Sequence, residues 1–310
     1  MSMLAYDNPT ACETYGQVRW ERVNCNLCGQ DNTEVYHRER LPYFDQLLDF
    51  TIVRCRHCGL VYTNPRLVDH NAAYLYASSE DANEIESHAQ AKRPVLERAL
   101  NEILHWQKRL GTSRLGTLLD IGCGHGHFLN WARMQGFLVQ GVEPAEVPAC
   151  YAEEIFQVPV MQNEVSRIDL EPESFDVITM WDVIEHVSDP YGVLQQCSQW
   201  LKPGGIMAFR FPSSTWQKIK GVVFASTNRP TFGATIHLYF FNGHTFTEMA
   251  RRVGLDVLSI RTTGAEANTN NAILDSVKKA GYAAMRAIET VSGKCLGNLE
   301  VYCQKRTDLE

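Results

Sequence analysis

The sequence predicts an α/β fold: a seven-stranded, mostly parallel sheet with helices on both faces, preceded by a small cysteine-rich ribbon. Three observations carry that expectation. Short apolar runs alternate with helix-period segments from Leu115 onward. A glycine-rich turn, Gly122-Cys-Gly124-His-Gly126, stands between the first of these strands and the helix after it. Two matching turns, Cys25-Asn-Leu-Cys28-Gly and Cys55-Arg-His-Cys58-Gly, lie upstream.

A chain of 310 residues has room for one large domain and a small module. The division expected is 1–70 for the module and 71–310 for the main domain, with a substrate loop at about 212–243 and a helical excursion at about 271–291. No apolar run approaches the roughly 20 residues of a membrane span. The first thirty residues are polar and hold no signal-type run, so the expected compartment is the cytoplasm. A net charge of -7 argues against a nucleic-acid partner, whose phosphates call for a basic patch. Paired cysteines in such a chain point to metal or redox chemistry rather than to disulfides.

In chain order, Pro94 suits the first turn of a helix whose apolar face is Leu96, Leu100, Ile103, Leu104 and Leu110. Strands follow at 117–121, 138–142, 158–161, 175–180 and 206–211. Helices fill the gaps. One ends at Gly136, one opens near Pro148, and one opens at Asp189-Pro190 with Val193, Leu194, Cys197 and Leu201 on its face. Residues 212–236 read as a long loop with a helical turn near Trp216, and such loops are often functional. Thr245 and Glu248 read as a capping box before a helix ending at Gly254. Strands at 255–262 and 299–304 close the chain, expected as an antiparallel edge.

Each Cys-x-x-Cys-Gly turn offers two sulfurs from one tight bend, and two such turns fill the four corners of a tetrahedral zinc site. Cys25, Cys28, Cys55 and Cys58 are therefore the expected ligands of a closed, structural Zn2+, with His57 outside it. Cys150, Cys197, Cys295 and Cys303 read as small core residues. The glycine turn lets backbone press against a ligand at a helix N-terminus. Its spacing departs from the dinucleotide pattern G-x-G-x-x-G, so a nicotinamide enzyme is the alternative at this stage. Glu143 ends the next strand, where an acid can accept both hydroxyls of a ribose.

The run Asp120-Ile-Gly-Cys-Gly-His-Gly resembles the first motif of class I S-adenosylmethionine methyltransferases, which are Rossmann-like. Glu143 resembles their ribose-binding acid. Phe175-Asp-Val-Ile with Trp181-Asp182-Val-Ile-Glu185-His186-Val resembles their fourth-strand motif, and Leu201-Lys-Pro-Gly-Gly205 the turn before their fifth strand. The group most resembled is the ubiquinone-pathway-like small-molecule methyltransferases. The cysteine turns with Gly59-Leu-Val-Tyr62-Thr-Asn-Pro65 resemble an extension on bacterial members that act on sugars or natural products.

The resemblance implies S-adenosylmethionine as cofactor and places its parts. Asp120 lies near the methionine amino group, Gly122, Cys123 and Gly124 line the methionine, and Glu143 holds the ribose. Asn163 and Glu164 meet adenine, and Trp181 lies near the sulfonium. His186, Glu185 and His237 are the expected catalytic residues, the histidines as bases. In the look-alikes, acids and a histidine in this segment hold a divalent cation, so Asp182, Glu185 and His186 are the residues to hold Mg2+. His237 resembles a histidine at the substrate mouth, with Tyr239, Phe240 and Trp216 as pocket walls and Tyr74 and Tyr76 over the cofactor. The implied reaction is methyl transfer to a small-molecule hydroxyl. Carbon methylation of a sugar nucleotide, an RNA methyltransferase gripping through its zinc ribbon, and a non-catalytic scaffold are the other readings.

Overall fold

The computed structural model describes residues 18–43, 46–68, 82–111, 115–223, 232–263, 272–292, 295 and 297–307. Tyr74 and Tyr76 lie outside these residues.

Strands β1 (Trp20–Glu21), β2 (Thr33–Tyr43), β3 (Gln46–Cys55), β4 (Val61–Thr63) and β5 (Arg66–Leu67) form the N-terminal ribbon. Helix α1 (Ala82–Arg109) leads into the alternating part: β6 (Thr117–Ile121), α2 (His127–Met134), β7 (Leu138–Val142), α3 (Glu146–Phe156), β8 (Val160–Met161), β9 (Phe175–Trp181), α4 (Pro190–Trp200) and β10 (Leu201–Phe211). Then follow α5 (Ser214–Val223), β11 (Tyr239–Phe240), α6 (Gly243–Arg252), β12 (Leu255–Thr262), α7 (Ala272–Ser292) and β13 (Leu299–Lys305).

The main sheet has seven strands in the order β12-β13-β10-β9-β6-β7-β8. The pairs from β10 to β8 are parallel, while β13 runs antiparallel to both its neighbours. The last two strands, β12 and β13, thus add an antiparallel edge to the parallel part, as the sequence suggested. Strand alternation sends neighbouring residues to opposite faces. Leu119, Ile121, Ile178, Met180, Met207 and Phe209 join one cluster. Leu118, Val177, Ala208 and Tyr302 join the cluster under α1 and α2.

Cys25, Leu27, Val53, Cys55, Leu60 and Tyr62 belong to that first cluster, so one core spans both sides of residue 70. Asn26 of the first cysteine turn donates to Asp189 at the N-terminus of α4 (2.7 Å) and accepts from Tyr191 N (2.8 Å). The ribbon's four-stranded sheet has the order β11-β4-β3-β2. Its outer strand, β11, comes from far down the chain and pairs Tyr239 with Tyr62 and Phe240 with Val61.

Four local expectations are corrected. Helix α1 starts at Ala82 and carries Pro94 inside it, because Ile85, Ala89, Val95, Leu96 and Ala99 continue one buried face through the proline. Pro148 is the third residue of α3, still in the first turn, where a missing N–H costs nothing. The cap of α6 is Asn242, whose Oδ1 accepts from Thr245 N (2.9 Å) while Thr245 Oγ1 accepts from Asn242 N (3.0 Å); Glu248 pairs with Arg251 instead. Cys150 is exposed, since the buried face of α3 is Pro148, Ala149 and Ala152, and Cys295 is half-buried.

Candidate active site

After β6 the chain adds β7 and β8 on one side, and β9 then returns to the other side of β6. A crevice opens at the C-terminal ends of the strands where the order reverses. Most of the residues singled out in the sequence lie along it.

The glycine turn follows β6. Gly122 N and Cys123 N donate to Val142 O at the end of β7 (2.7 and 3.1 Å). Gly122 has φ 69°, and a Cβ there would lie 2.5 Å from Val183. Gly124 has φ 52° and faces open space, so the turn is tight below and clear above. The Cys123 side chain is buried against Gly141, which leaves only its backbone at the crevice. Glu143 is buried; its Oε2 accepts from Gly124 N (2.9 Å) and its Oε1 from Ala145 N (2.9 Å). Burial raises its pKa despite these two donors. Asp120 is buried and accepts from Thr179 Oγ1 at 2.6 Å. Burial pushes its pKa up to about 8, with Thr179 opposing and Glu143 adding to the rise.

Asn163 and Glu164 follow β8 and are exposed; Asn163 N and Glu143 N both donate to Met161 O (3.0 and 3.1 Å), which brings this turn beside Glu143. Trp181 ends β9, packs edge-on against Phe128 at 5.1 Å, and has a buried Nε1 with no partner among the described residues.

The segment after β9 carries the polar cluster. Asp182 sits at φ 59°, an unusual backbone for a non-glycine residue, and such outliers gather at functional sites. Its Oδ2 lies 3.3 Å from Arg210 Nη2 and 3.7 Å from Lys92 Nζ. Burial opposes its charge, but these cations outweigh it and hold Asp182 below the usual carboxylate range. Glu185 is 1% exposed, and neither of its oxygens has a hydrogen-bond partner among the described residues. Burial, with the Asp182 charge behind it, raises its pKa well above the usual carboxylate range.

His186 and His237 have ring centroids 4.9 Å apart. His186 Nδ1 is 2.7 Å from Ile236 O, and His237 Nδ1 is 2.7 Å from Phe232 O. A carbonyl only accepts, so both Nδ1 atoms carry hydrogen, and Nε2 is the basic nitrogen of each neutral ring. Burial keeps the His237 pKa below its ordinary value, Lys220 acting in the same sense and the Phe232 carbonyl, Asp182 and Glu39 against it.

Asp182, Glu185 and His186 do not converge as a cation cage. The ligand atoms that come together, within 4.8 Å, belong to Glu185, His186 and His237. One carboxyl and two imidazoles do not fit magnesium, which takes oxygen ligands. Tyr239 and Phe240 are buried core residues; the Tyr239 hydroxyl donates to Ser188 O at 3.1 Å. Trp216 is half-buried, 6.3 Å from the Tyr282 ring.

The sulfurs of Cys25, Cys28, Cys55 and Cys58 lie within 4.8 Å of one another, with Cys25–Cys58 at 3.4 Å and Cys28–Cys55 at 3.5 Å. A tetrahedron of sulfurs about 2.3 Å from a metal has edges of roughly 3.8 Å, so the four fit one ion. Gly29 N donates to Cys25 O and Gly59 N to Cys55 O, and both glycines have positive φ, 76° and 81°. Burial raises the Cys25 thiol and takes Cys58 to about 11, a cost that coordination of a metal ion would offset. His57 is exposed.

Lys92, Arg210, Lys220 and Glu39 were not singled out in the sequence. Only Arg210 carried a signal, as a lone cation inside the apolar run Phe209-Arg210-Phe211.

The family described as "Methyltransferase domain" matches residues 89–260, more than half of the chain. A ubiquinone biosynthesis O-methyltransferase of Leptothrix cholodnii is 32% identical over 162 residues, 49% of this chain and 68% of that protein. One from Histophilus somni is 34% identical over 110 residues, 32% of this chain and 46% of that protein. The chain thus spans less than half the length of the second relative and about two thirds of the first. Among solved structures, the plantazolicin methyltransferase BpumL in complex with SAH superposes with a TM-score of 0.52 at 15% identity, over 77% of this chain and 95% of that one. At that identity the likeness speaks for the fold alone.

Proposed function

The chain belongs to the methyltransferase-domain family and is an S-adenosylmethionine-dependent enzyme, and from that premise we propose that it methylates a hydroxyl oxygen of a small molecule, with His237 as general base. The observation that carries this reading is the His237 ring. It is held by Nδ1 on the Phe232 carbonyl, its pKa is kept low by burial, and it is set 4.9 Å from His186 and close to buried Glu185. When bound, S-adenosylmethionine supplies a methyl carbon activated by a positively charged sulfur. The protein then has to align the acceptor and remove its proton. His237 Nε2 takes that proton, and the Glu185 carboxyl and His186 orient the hydroxyl.

Asp120, the Gly122-Cys123-Gly124 backbone, Glu143, the Asn163–Glu164 turn and Trp181 would hold the cofactor. The open space above Gly124 and the unpartnered Trp181 Nε1 suit that ligand. Cys25, Cys28, Cys55 and Cys58 would hold one structural zinc ion. We place the enzyme in the cytoplasm, where thiolate-bound zinc persists without disulfide formation.

The test is a screen of catechols, phenols and keto-sugar nucleotides with the zinc-loaded protein and S-adenosylmethionine, followed by mass spectrometry of the products. A product with a new O–CH3 group is expected. His237→Ala should slow its formation by about 100- to 10,000-fold, with cofactor affinity unchanged within about twofold. Full turnover by His237→Ala would remove the base assignment, and a new carbon–carbon bond would move the reading to carbon methylation.

A second expectation concerns Asp120. With a pKa near 8, its carboxyl is protonated at pH 7. If it meets the cofactor's ammonium group, binding favours the charged form and expels the proton. Calorimetry at pH 7 in buffers of different ionisation enthalpy should show release of about 0.9 proton per cofactor bound. Asp120→Asn should abolish the release. Binding without proton exchange in the wild type would place the ammonium elsewhere.

A further inference from the structure

We propose that Glu39, on the N-terminal hairpin, is a positioning residue for His237. The proposal deepens the reading of His237 as base and rests on it. Glu39 is on β2, and its carboxylate reaches the far end of the chain: Oε1 accepts from Ala234 N at 2.7 Å and Oε2 from Phe232 N at 3.2 Å. These two amides flank Gly233, which sits at φ 69°. The turn closes when Ile236 N and His237 N both donate to Gly233 O, at 3.0 and 2.9 Å. Within the turn, Phe232 O accepts from His237 Nδ1 at 2.7 Å.

One carboxylate thus anchors both amides of the bend whose carbonyl fixes the imidazole. Hydrogen bonds from N–H to a carboxylate are charge-assisted and about twice as strong as neutral ones, so this anchor outranks an ordinary turn contact. The room is small: a Cβ at Gly233 would lie 3.2 Å from His237 Nδ1. Displacement of the bend by a few tenths of an ångström therefore reaches the ring.

The same sheet grips the segment at two further points, one on β2 and one on β4. The His37 ring stacks on Phe232 at 4.8 Å and 29°. Thr63, five residues after Cys58, donates its Oγ1 to His237 O at 3.0 Å and its N–H to Leu238 O at 2.9 Å. From the other side, Leu238 N and Tyr239 N donate to Glu185 O, at 2.8 and 3.1 Å. The backbone of His237 is clamped between the cysteine ribbon and the Glu185 turn, and Glu39 sets the remaining freedom, the pose of the ring.

The test uses the full-length, zinc-loaded protein with 15N-labelled histidine and reads the imidazole resonances, assigned with His237→Gln. Wild type should show a His237 Nδ1–H signal protected from solvent exchange. In Glu39→Gln one oxygen becomes an NH2 group facing a backbone N–H, and exchange at His237 Nδ1 should quicken by about tenfold or more. Zinc content and S-adenosylmethionine affinity, measured alongside, should stay within about twofold of wild type. Unchanged exchange in a folded, zinc-loaded Glu39→Gln protein would overturn the proposal. Should that variant lose its fold or its zinc, Glu39→Asp decides. It keeps the charge but shortens the reach, so faster exchange supports the proposal and wild-type exchange refutes it. The base assignment fails separately, through a His237→Ala protein that still turns over.

Discussion

Replacing Glu143 by alanine lowers the affinity for S-adenosylmethionine by about 100- to 1,000-fold. The carboxylate is buried at the end of β7 and anchors Gly124 N and Ala145 N at 2.9 Å each. On the reading proposed above it also accepts the two hydroxyls of the ribose. Hydrogen bonds to a charged acceptor contribute about 1.5–3 kcal/mol each. Two of them, partly offset by water entering the space left behind, amount to about 3–4 kcal/mol, and each 1.4 kcal/mol is a factor of ten. The alanine protein also leaves Gly124 N without its acceptor, which loosens the open side of the turn. Calorimetric titration of wild type and Glu143→Ala, with circular dichroism to show that both fold, checks this. Affinity reduced by less than about fivefold would mean that Glu143 braces the turn without touching the cofactor.

Withdrawal of the proposed zinc ion should destabilise the whole protein. Structural zinc sites bind with an apparent 10–16 kcal/mol near neutral pH, comparable to the whole stability of a domain. The ribbon shares its core with the sheet, through Leu27, Val53, Leu60 and Tyr62 beside Ile178, Met180 and Phe209. Without the ion, buried Cys25 and half-buried Cys58 would be neutral thiols, and the two turns would lose their common centre. Chelation, or Cys55→Ser, should therefore lower the thermal midpoint by at least about 10 °C. Turnover should vanish with it, because β4 no longer holds β11 and the His237 segment. The cofactor crevice lies outside the ribbon, so some S-adenosylmethionine binding should survive. Metal analysis that finds no zinc in a protein of unchanged midpoint would end the assignment.

The strands at 117–121 and 138–142 were legible residue for residue, because a strand in a parallel sheet is a short apolar run bounded by turns, and the edge strand at 255–262 was legible because Gly254 marks where it starts. The cysteine turns were legible because two ligands come from one bend and need no knowledge of the fold. The glycine turn and Glu143 were legible as a pair, since successive strands of such a sheet lie side by side. The site beyond that depends on contacts without a period. Nothing near Glu39 announces a bond to residues 232 and 234, and nothing near Asp182 announces Arg210 and Lys92. The pairing of β4 with β11 was invisible for the same reason: a two-residue strand leaves no pattern. Misplaced caps have a different origin. Asn242 and Thr245 are both cap formers, and only the fold selects between them.

The pairing of β4 with β11 also bears on how the protein is made. Thr63 and its partner His237 are separated by 174 residues. A ribosome adding 5–20 residues per second needs roughly 9–35 s to cover that distance. Throughout that interval β4 is an open edge on the nascent chain, with apolar Val61 and Tyr62 still lacking their cover. Capture of the metal is local to the hairpin and can come early, but the ribbon is sealed only late in synthesis. An edge that must wait this long is where a nascent-chain chaperone, or a second copy of the hairpin, would compete with β11.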